Sequence, residues 1–211
     1  MISDLHMHPL DHKYYFTMAD GFSKIVLDEK DKKRIREVVD WCYHERKLDA
    51  IALTDHDMIQ ASIFALEYVK DAGYNMEVIT GLECSVRDHA ISIGDDEIHL
   101  LCLGINKAPK YNIVTHVDTM IDAVHEIGGV VIMAHPYKYP KTFERYCHLL
   151  DGYEYLNSDY PPFDEGREIL REKGLVLREF YNSDFHYKGE FPNLPSKRLH
   201  TNNYEKNPLF G

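Results

Sequence analysis

The sequence predicts an α/β barrel on two observations. Short apolar segments alternate with amphipathic ones, and ionisable side chains recur where the apolar segments end. Such alternation argues for parallel strand–helix–strand units rather than an antiparallel sandwich. Ile2 and Leu5 mark a first strand running into His6-Met7-His8, followed by a long aromatic-rich polar loop over 9–29. Within 30–47, Ile35, Val38, Val39 and Cys42 fall at helical spacing. Residues 50–54 form a buried strand, and Ile59, Ile63, Leu66 and Val69 a second helix ended by Gly73. A short strand at 78–80 and a longer one at 98–105 flank a hairpin or loop excursion over 87–97, around Gly94-Asp95-Asp96. The clearest helical spacing runs from Ile113 to Ile127, stopped by Gly128-Gly129, with a strand at 130–134 after it. Phe143, Tyr146, Cys147 and Leu150 suggest another helix, then a strand at 152–156. Pro161-Pro162 precedes a helix that stops near Gly174, and 175–181 is the last strand. About seven such units make one barrel. No linker divides 1–211, so one domain is expected, with about 187–211 a Pro/Asn-rich capping tail.

Composition narrows the function classes. With 211 residues, 44% of them hydrophobic, the chain can bury one substantial core. Cys42, Cys84, Cys102 and Cys147 lie far apart among apolar neighbours, which reads as reduced core thiols in a cytoplasmic protein. No apolar run approaches the length of a membrane span, and no export leader is visible. A formal charge of −11 disfavours long nucleic acid as a partner. A small anionic substrate is compatible with it if bound cations reverse the local sign. The 13 histidines are the unusual component.

Their placement carries the functional argument. The first strand supplies Asp4, His6 and His8, which alternation would point one way, with Asp4 orienting a ring. Thr54-Asp55-His56-Asp57, Gly81-Leu82-Glu83, Ala134-His135-Pro136 and Ser183-Asp184-Phe185-His186 follow later strands. His99 near a strand start and Glu154 inside a strand depart from the pattern. Singly, His99 reads as a satisfied core histidine, Glu83 as a helix-start carboxylate and His135 as a strand cap. Together, so many ionisable groups at one barrel mouth would be costly to bury without cations. Imidazoles with carboxylates and no thiolate favour Zn, Mn or Fe, and the donors outnumber what one tetrahedral ion takes.

These segments, in this order, resemble the PHP (polymerase and histidinol phosphatase) superfamily, from the first residues to about His186. The resemblance implies a distorted (β/α)7, TIM-like barrel with a trinuclear site hydrolysing phosphate esters through a metal-activated hydroxide. It implies that His6, His8, Glu83 and Asp184 hold one cation, and that Glu83 bridges to a second held by His99 and His135. His56 and His186 would hold a third, completed by Asp20 of Asp20-Gly21 or by His12. Asp55 would stand behind the ligands rather than among them. Catalysis would rest on Glu83, Asp184 and His186, with Arg87, Lys138 and Lys188 neutralising substrate oxygens. The expected partner is a small phosphomonoester or short nucleotide-type substrate. Two other readings stand beside this one: an amidohydrolase acting on C–N bonds, and a non-catalytic metal-binding regulatory domain. Amidohydrolases typically bridge their metals through a carboxylated lysine in mid-barrel, and no lysine ends a strand here.

Overall fold

In the computed structural model, residues 2–11, 13, 25–90, 97–111, 114–158, 160–189 and 202–203 are described. Ten strands and five helices run in the order β1 (Ile2–His8), α1 (Glu29–His44), β2 (Ala50–Leu53), α2 (Gln60–Ala72), β3 (Glu77–Val78), β4 (Gly81–Arg87), β5 (Glu97–Leu103), α3 (Val117–Glu126), β6 (Val130–Met133), α4 (Pro140–Tyr146), β7 (Gly152–Asn157), α5 (Asp164–Lys173), β8 (Arg178–Asn182), β9 (Phe185–His186) and β10 (Asn202–Asn203). The helix boundaries follow local chemistry. Asp28 and Asp31 form a reciprocal capping box at the start of α1. Gly73 and Gly174, at φ of 68° and 66°, take the left-handed conformation that ends α2 and α5.

The chain is mixed α/β, but its ladders do not form one ring of parallel strands. They make two sheets of five strands: β10-β1-β2-β3 with β9 also on β1, and β4-β5-β6-β7-β8. β4 pairs antiparallel with β5, and β5 with β6, which corrects the all-parallel expectation. The correction has a local cause. Residues 81–87, of which the sequence reading places Gly81-Leu82-Glu83 just beyond the 78–80 strand, are a seven-residue strand opposite β5, with Arg87 across from Glu97. A hairpin therefore replaces one crossover helix.

The sheets meet at two seams. At the first, the chain beyond β2 lies against β4, His56 bridging Glu83 and the Glu83 amide donating to the Thr54 carbonyl at 3.1 Å. At the second, side chains replace a ladder: the Leu5 amide donates to Asn182 Oδ1 and the Ser183 amide to Asp4 Oδ1, both at 3.1 Å. Between the sheets, Leu5, Ala52, Ile79, Leu101, Leu103, Ile132, Ala134 and Phe180 form one buried cluster. Two larger clusters pack the outer sheet faces against the helices. Alternation along β5 sorts its residues accordingly, Leu101 and Leu103 facing inward and Leu100 and Cys102 outward. The four cysteines are buried and free, as expected of core thiols. In the tail, Asn202–Asn203 pair antiparallel with Ile2–Ser3.

The inner cluster holds the two sheets together, so Leu101→Ala should lower unfolding stability by about 2–5 kcal/mol. Val176→Ala, at a side chain 96% exposed, should change it by less than about 0.5 kcal/mol. Urea denaturation of the two variants checks the contrast.

Candidate metal centre

Above the inner cluster, the strand ends deliver imidazoles and carboxylates to a single point. Glu83 is fully buried, and five rings crowd its carboxylate. Oε1 lies 3.3 Å from His6 Nε2, 3.1 Å from His99 Nδ1 and 3.2 Å from His135 Nε2. Oε2 lies 3.3 Å from His8 Nε2 and 3.0 Å from His56 Nδ1. Asp184 Oδ1 faces His6, His8 and His186, each Nε2 at 3.3 Å. All eight described members of the expected ligand set therefore converge. Asp20 and its rival His12 lie outside the described residues.

The antiparallel β5 explains why His99 looked out of place. Its strand runs opposite to β6, so its start lies beside the end of β6, where His135 stands. Glu83 and Ser85 share a face of β4, and Ser85 pairs with His99. The site also holds unusual backbone. Asp11, Asp57, His135 and Asp184 all have positive φ, at 54°, 55°, 30° and 52°. Side chains other than glycine rarely adopt this region, and each instance costs on the order of 1–3 kcal/mol that the surrounding packing must offset.

Some of the groups that orient the ligands could not be seen in the sequence. A register shift between Asp4 and Met7 breaks the alternation of β1, so Asp4 does not orient a ring. It accepts instead from the backbone amides of His6 and Ser183. The carboxylate behind the His6 ring is Glu154, whose Oε1 lies 2.8 Å from Nδ1. Its other contacts are with Asn182 Nδ2 at 2.8 Å, the His135 amide at 2.8 Å and Asn157 Nδ2 at 3.1 Å. Glu154, which had stood out for lying within its strand, thus anchors the His6 ring and the His135 backbone. Asp11 is a second missed residue, with Oδ1 2.9 Å from His186 Nδ1. The only sequence signal for it was an acidic residue soon after His8. Asp55 accepts from the Leu10 amide at 2.8 Å and so fixes the turn after His8. Of the candidate cations, Arg87 ends β4 on the Glu83 face, Lys188 is exposed just beyond His186, and Lys138 Nζ lies 5.0 Å from the Tyr160 ring centre.

Electrostatics and unused lone pairs agree on what the cluster accommodates. Burial works against an ionised Glu83, yet His99, His6 and His56 hold it well below the usual carboxylate range. Burial likewise disfavours a charged His99, but Glu83 and Glu97 raise it to about 9. His8, buried and facing His56, is pushed well below the ordinary imidazole value. Among the described residues, His6 Nε2, His8 Nε2 and Glu83 Oε2 are buried and make no hydrogen bond. Three overlapping groups each bring one donor atom per residue within 4.8 Å of the others: His6, His8 and Glu83; His8, His56 and His186; and His56, Glu83 and His99. A donor set of imidazole nitrogens around a shared carboxylate fits divalent cations.

The comparisons with known proteins agree with this architecture. No protein-family model matches the sequence, and no curated protein matches it. Among solved structures, the fold is similar to a putative metal-dependent phosphoesterase from Bifidobacterium adolescentis, at TM-score 0.64 and 15% identity over 94% of this chain and 92% of that one. It is also similar to a two-domain protein from Bacteroides vulgatus containing a predicted PHP-like metal-dependent phosphoesterase, at TM-score 0.55 and 15% identity. That match covers 88% of this chain and 52% of the other. A third similar structure is an amidohydrolase from Chromobacterium violaceum with bound sulfate and no metal, at TM-score 0.61 and 17% identity over 98% and 92%. At 15–17% identity these likenesses concern the fold.

Two outcomes are expected. A cation would need the lone pairs of His99 and His6, both of which, despite burial, neighbouring carboxylates hold above the ordinary imidazole value, so binding should release protons. Affinity should therefore climb as pH rises, with the His99 share of the gain complete above about 9, as followed by zinc calorimetry in buffers of different ionisation enthalpy. Glu154→Gln should weaken cation binding by about 10–100-fold while the fold, judged by circular dichroism, is retained.

Proposed function

We propose that this chain is a metal-dependent hydrolase that cleaves a small phosphate ester. The observation that carries the reading is the Glu83 carboxylate encircled by five imidazole rings at 3.0–3.3 Å. In this reading His6, His8, Glu83 and Asp184 hold one cation, and Glu83 is shared with a second at His99 and His135. A third belongs to His56 and His186, completed by Asp20 or His12. Zn, Mn and Fe all suit such donors. When bound, these ions supply Lewis acidity towards a phosphoryl oxygen and a nucleophile at neutral pH.

The chain's own part is positional and electrostatic. Glu154 keeps the His6 Nδ1 proton on the outer side of the ring, leaving Nε2 facing the cluster. Near-complete burial of His6, His8 and Glu83 keeps bulk water from these groups and strengthens every charge interaction among them. Asp184 and His186, with side chains 10% and 19% exposed, form the side open to solvent, where substrate would approach. Arg87, Lys138 and Lys188 would neutralise phosphate oxygens from the rim. A small, anionic phosphomonoester or nucleotide-type ester suits a site of this kind within a chain of charge −11.

An amidohydrolase reading draws support from the fold of the Chromobacterium violaceum structure. Against it, the central shared ligand in this reading is Glu83, and among the described residues no lysine is paired with it. Chelator-treated protein should be inactive towards p-nitrophenyl phosphate and regain turnover on adding Mn or Zn, with Glu83→Gln inactive at every metal concentration. Turnover that survives chelation overturns the proposal. Metal-dependent cleavage of amides without phosphatase activity would favour the second reading.

A further inference from the structure

Tyr139 stands outside the ligand set, buried at the start of α4, and its hydroxyl makes three contacts. It lies 2.8 Å from the Ala134 carbonyl, 2.9 Å from His135 Nδ1 and 3.2 Å from the His99 amide nitrogen. Proton counting assigns these contacts. The Ala134 carbonyl can only accept, so a 2.8 Å approach requires the single phenolic proton. The His99 amide can only donate, so it occupies one phenolic lone pair. His135 Nδ1 then meets the remaining lone pair and must bring its own proton. A neutral His135 with its proton on Nδ1 has a bare lone pair on Nε2. That lone pair faces the Glu83 carboxylate at 3.2 Å, two acceptors opposed in a buried space. The opposition is relieved only by a positive centre between them.

We propose that Tyr139 is the positioning residue of the Glu83–His99–His135 half of the site. Its hydroxyl locks the His135 tautomer so that Nε2 is available to a cation, and it ties the start of β5 to the end of β6. The tautomer claim stands on the hydrogen-bond geometry alone. The cation claim rests on the metal-dependent reading above. The Tyr139 hydroxyl stands behind the His135 ring, on the side away from Glu83, so its effect passes through His135 and His99.

Two measurements test this, and the first needs no variant of Tyr139. Nitrogen-15 NMR of the metal-free chain, with the His135 signals assigned by difference against His135→Gln, should show the Nδ1-protonated neutral ring at a pH where His135 is uncharged. An Nε2-protonated ring there overturns the tautomer assignment whatever the metal chemistry proves to be. The second is stepwise zinc titration by calorimetry of the unaltered chain and Tyr139→Phe. One class of site should weaken by about 10–100-fold, the scale on which groups behind a ligand act, while the remaining sites stay within about twofold. Uniform weakening of all sites, or none, overturns the positioning role. Absence of zinc binding by the unaltered chain would instead sink the metal-dependent reading, leaving the tautomer result to stand or fall alone.

Discussion

The folded molecule depends on a single buried anion. Glu83 is fully enclosed, and an isolated ionised carboxylate in that position would cost many kcal/mol to desolvate. Its ionisation is sustained chiefly by the rings of His99, His6 and His56, and those of His8 and His135 complete the circle, so that both sheets contribute. The same residue also sits at a seam, where its amide and carbonyl bond to Thr54 and Asp57 beyond β2. Joining the sheets and gathering the ligands are thus one structural event. A chain that failed to pair β4 with the end of β2 would lose the carboxylate at the centre of the cluster along with the seam.

Around this centre, a layer of acceptors and donors decides which nitrogen of each ring faces inward. Glu154 holds His6, Asp11 holds His186 and Tyr139 holds His135, each through Nδ1. His56 and His99 present Nδ1 itself to Glu83. The left-handed backbone of His135 and Asp184 belongs to the same arrangement, since each residue turns out of its strand direction to reach the shared point. Conformational strain of this kind is retained where packing over-determines it, and here it is confined almost entirely to the site. Of the five described non-glycine residues with positive φ, Lys47 alone lies away from it.

Much of the arrangement was legible before any coordinates. Apolar spacing and flanking Gly and Pro located the five described α-helices to within a few residues, and the resemblance singled out the eight described imidazoles and carboxylates that converge. What misled was β4. Gly81-Leu82-Glu83 follows a short apolar segment so closely that it reads as the end of that strand, when β3 is only two residues long and a separate β4 seven. Apolar runs carry no sign of direction, so an antiparallel hairpin and a parallel crossover look alike until the partner strand is known. His99 departed from the strand-end pattern for that reason, its strand entering the site from the opposite side.

By itself the sequence determined the alternation of elements, the identity of the convergent imidazoles and carboxylates, and the charge that disfavours long nucleic acid. Those properties are local, written in residue type and spacing. Tertiary structure alone decided that the strands form two sheets meeting at His56 and Glu83. It also decided that Glu154, and not Asp4, stands behind His6, and that Asp11 and Tyr139 hold the outer nitrogens. These are contacts between residues 4 to 175 positions apart in the chain, set by strand direction and by a bulge in β1. Neither leaves a mark in the composition of the segments they join.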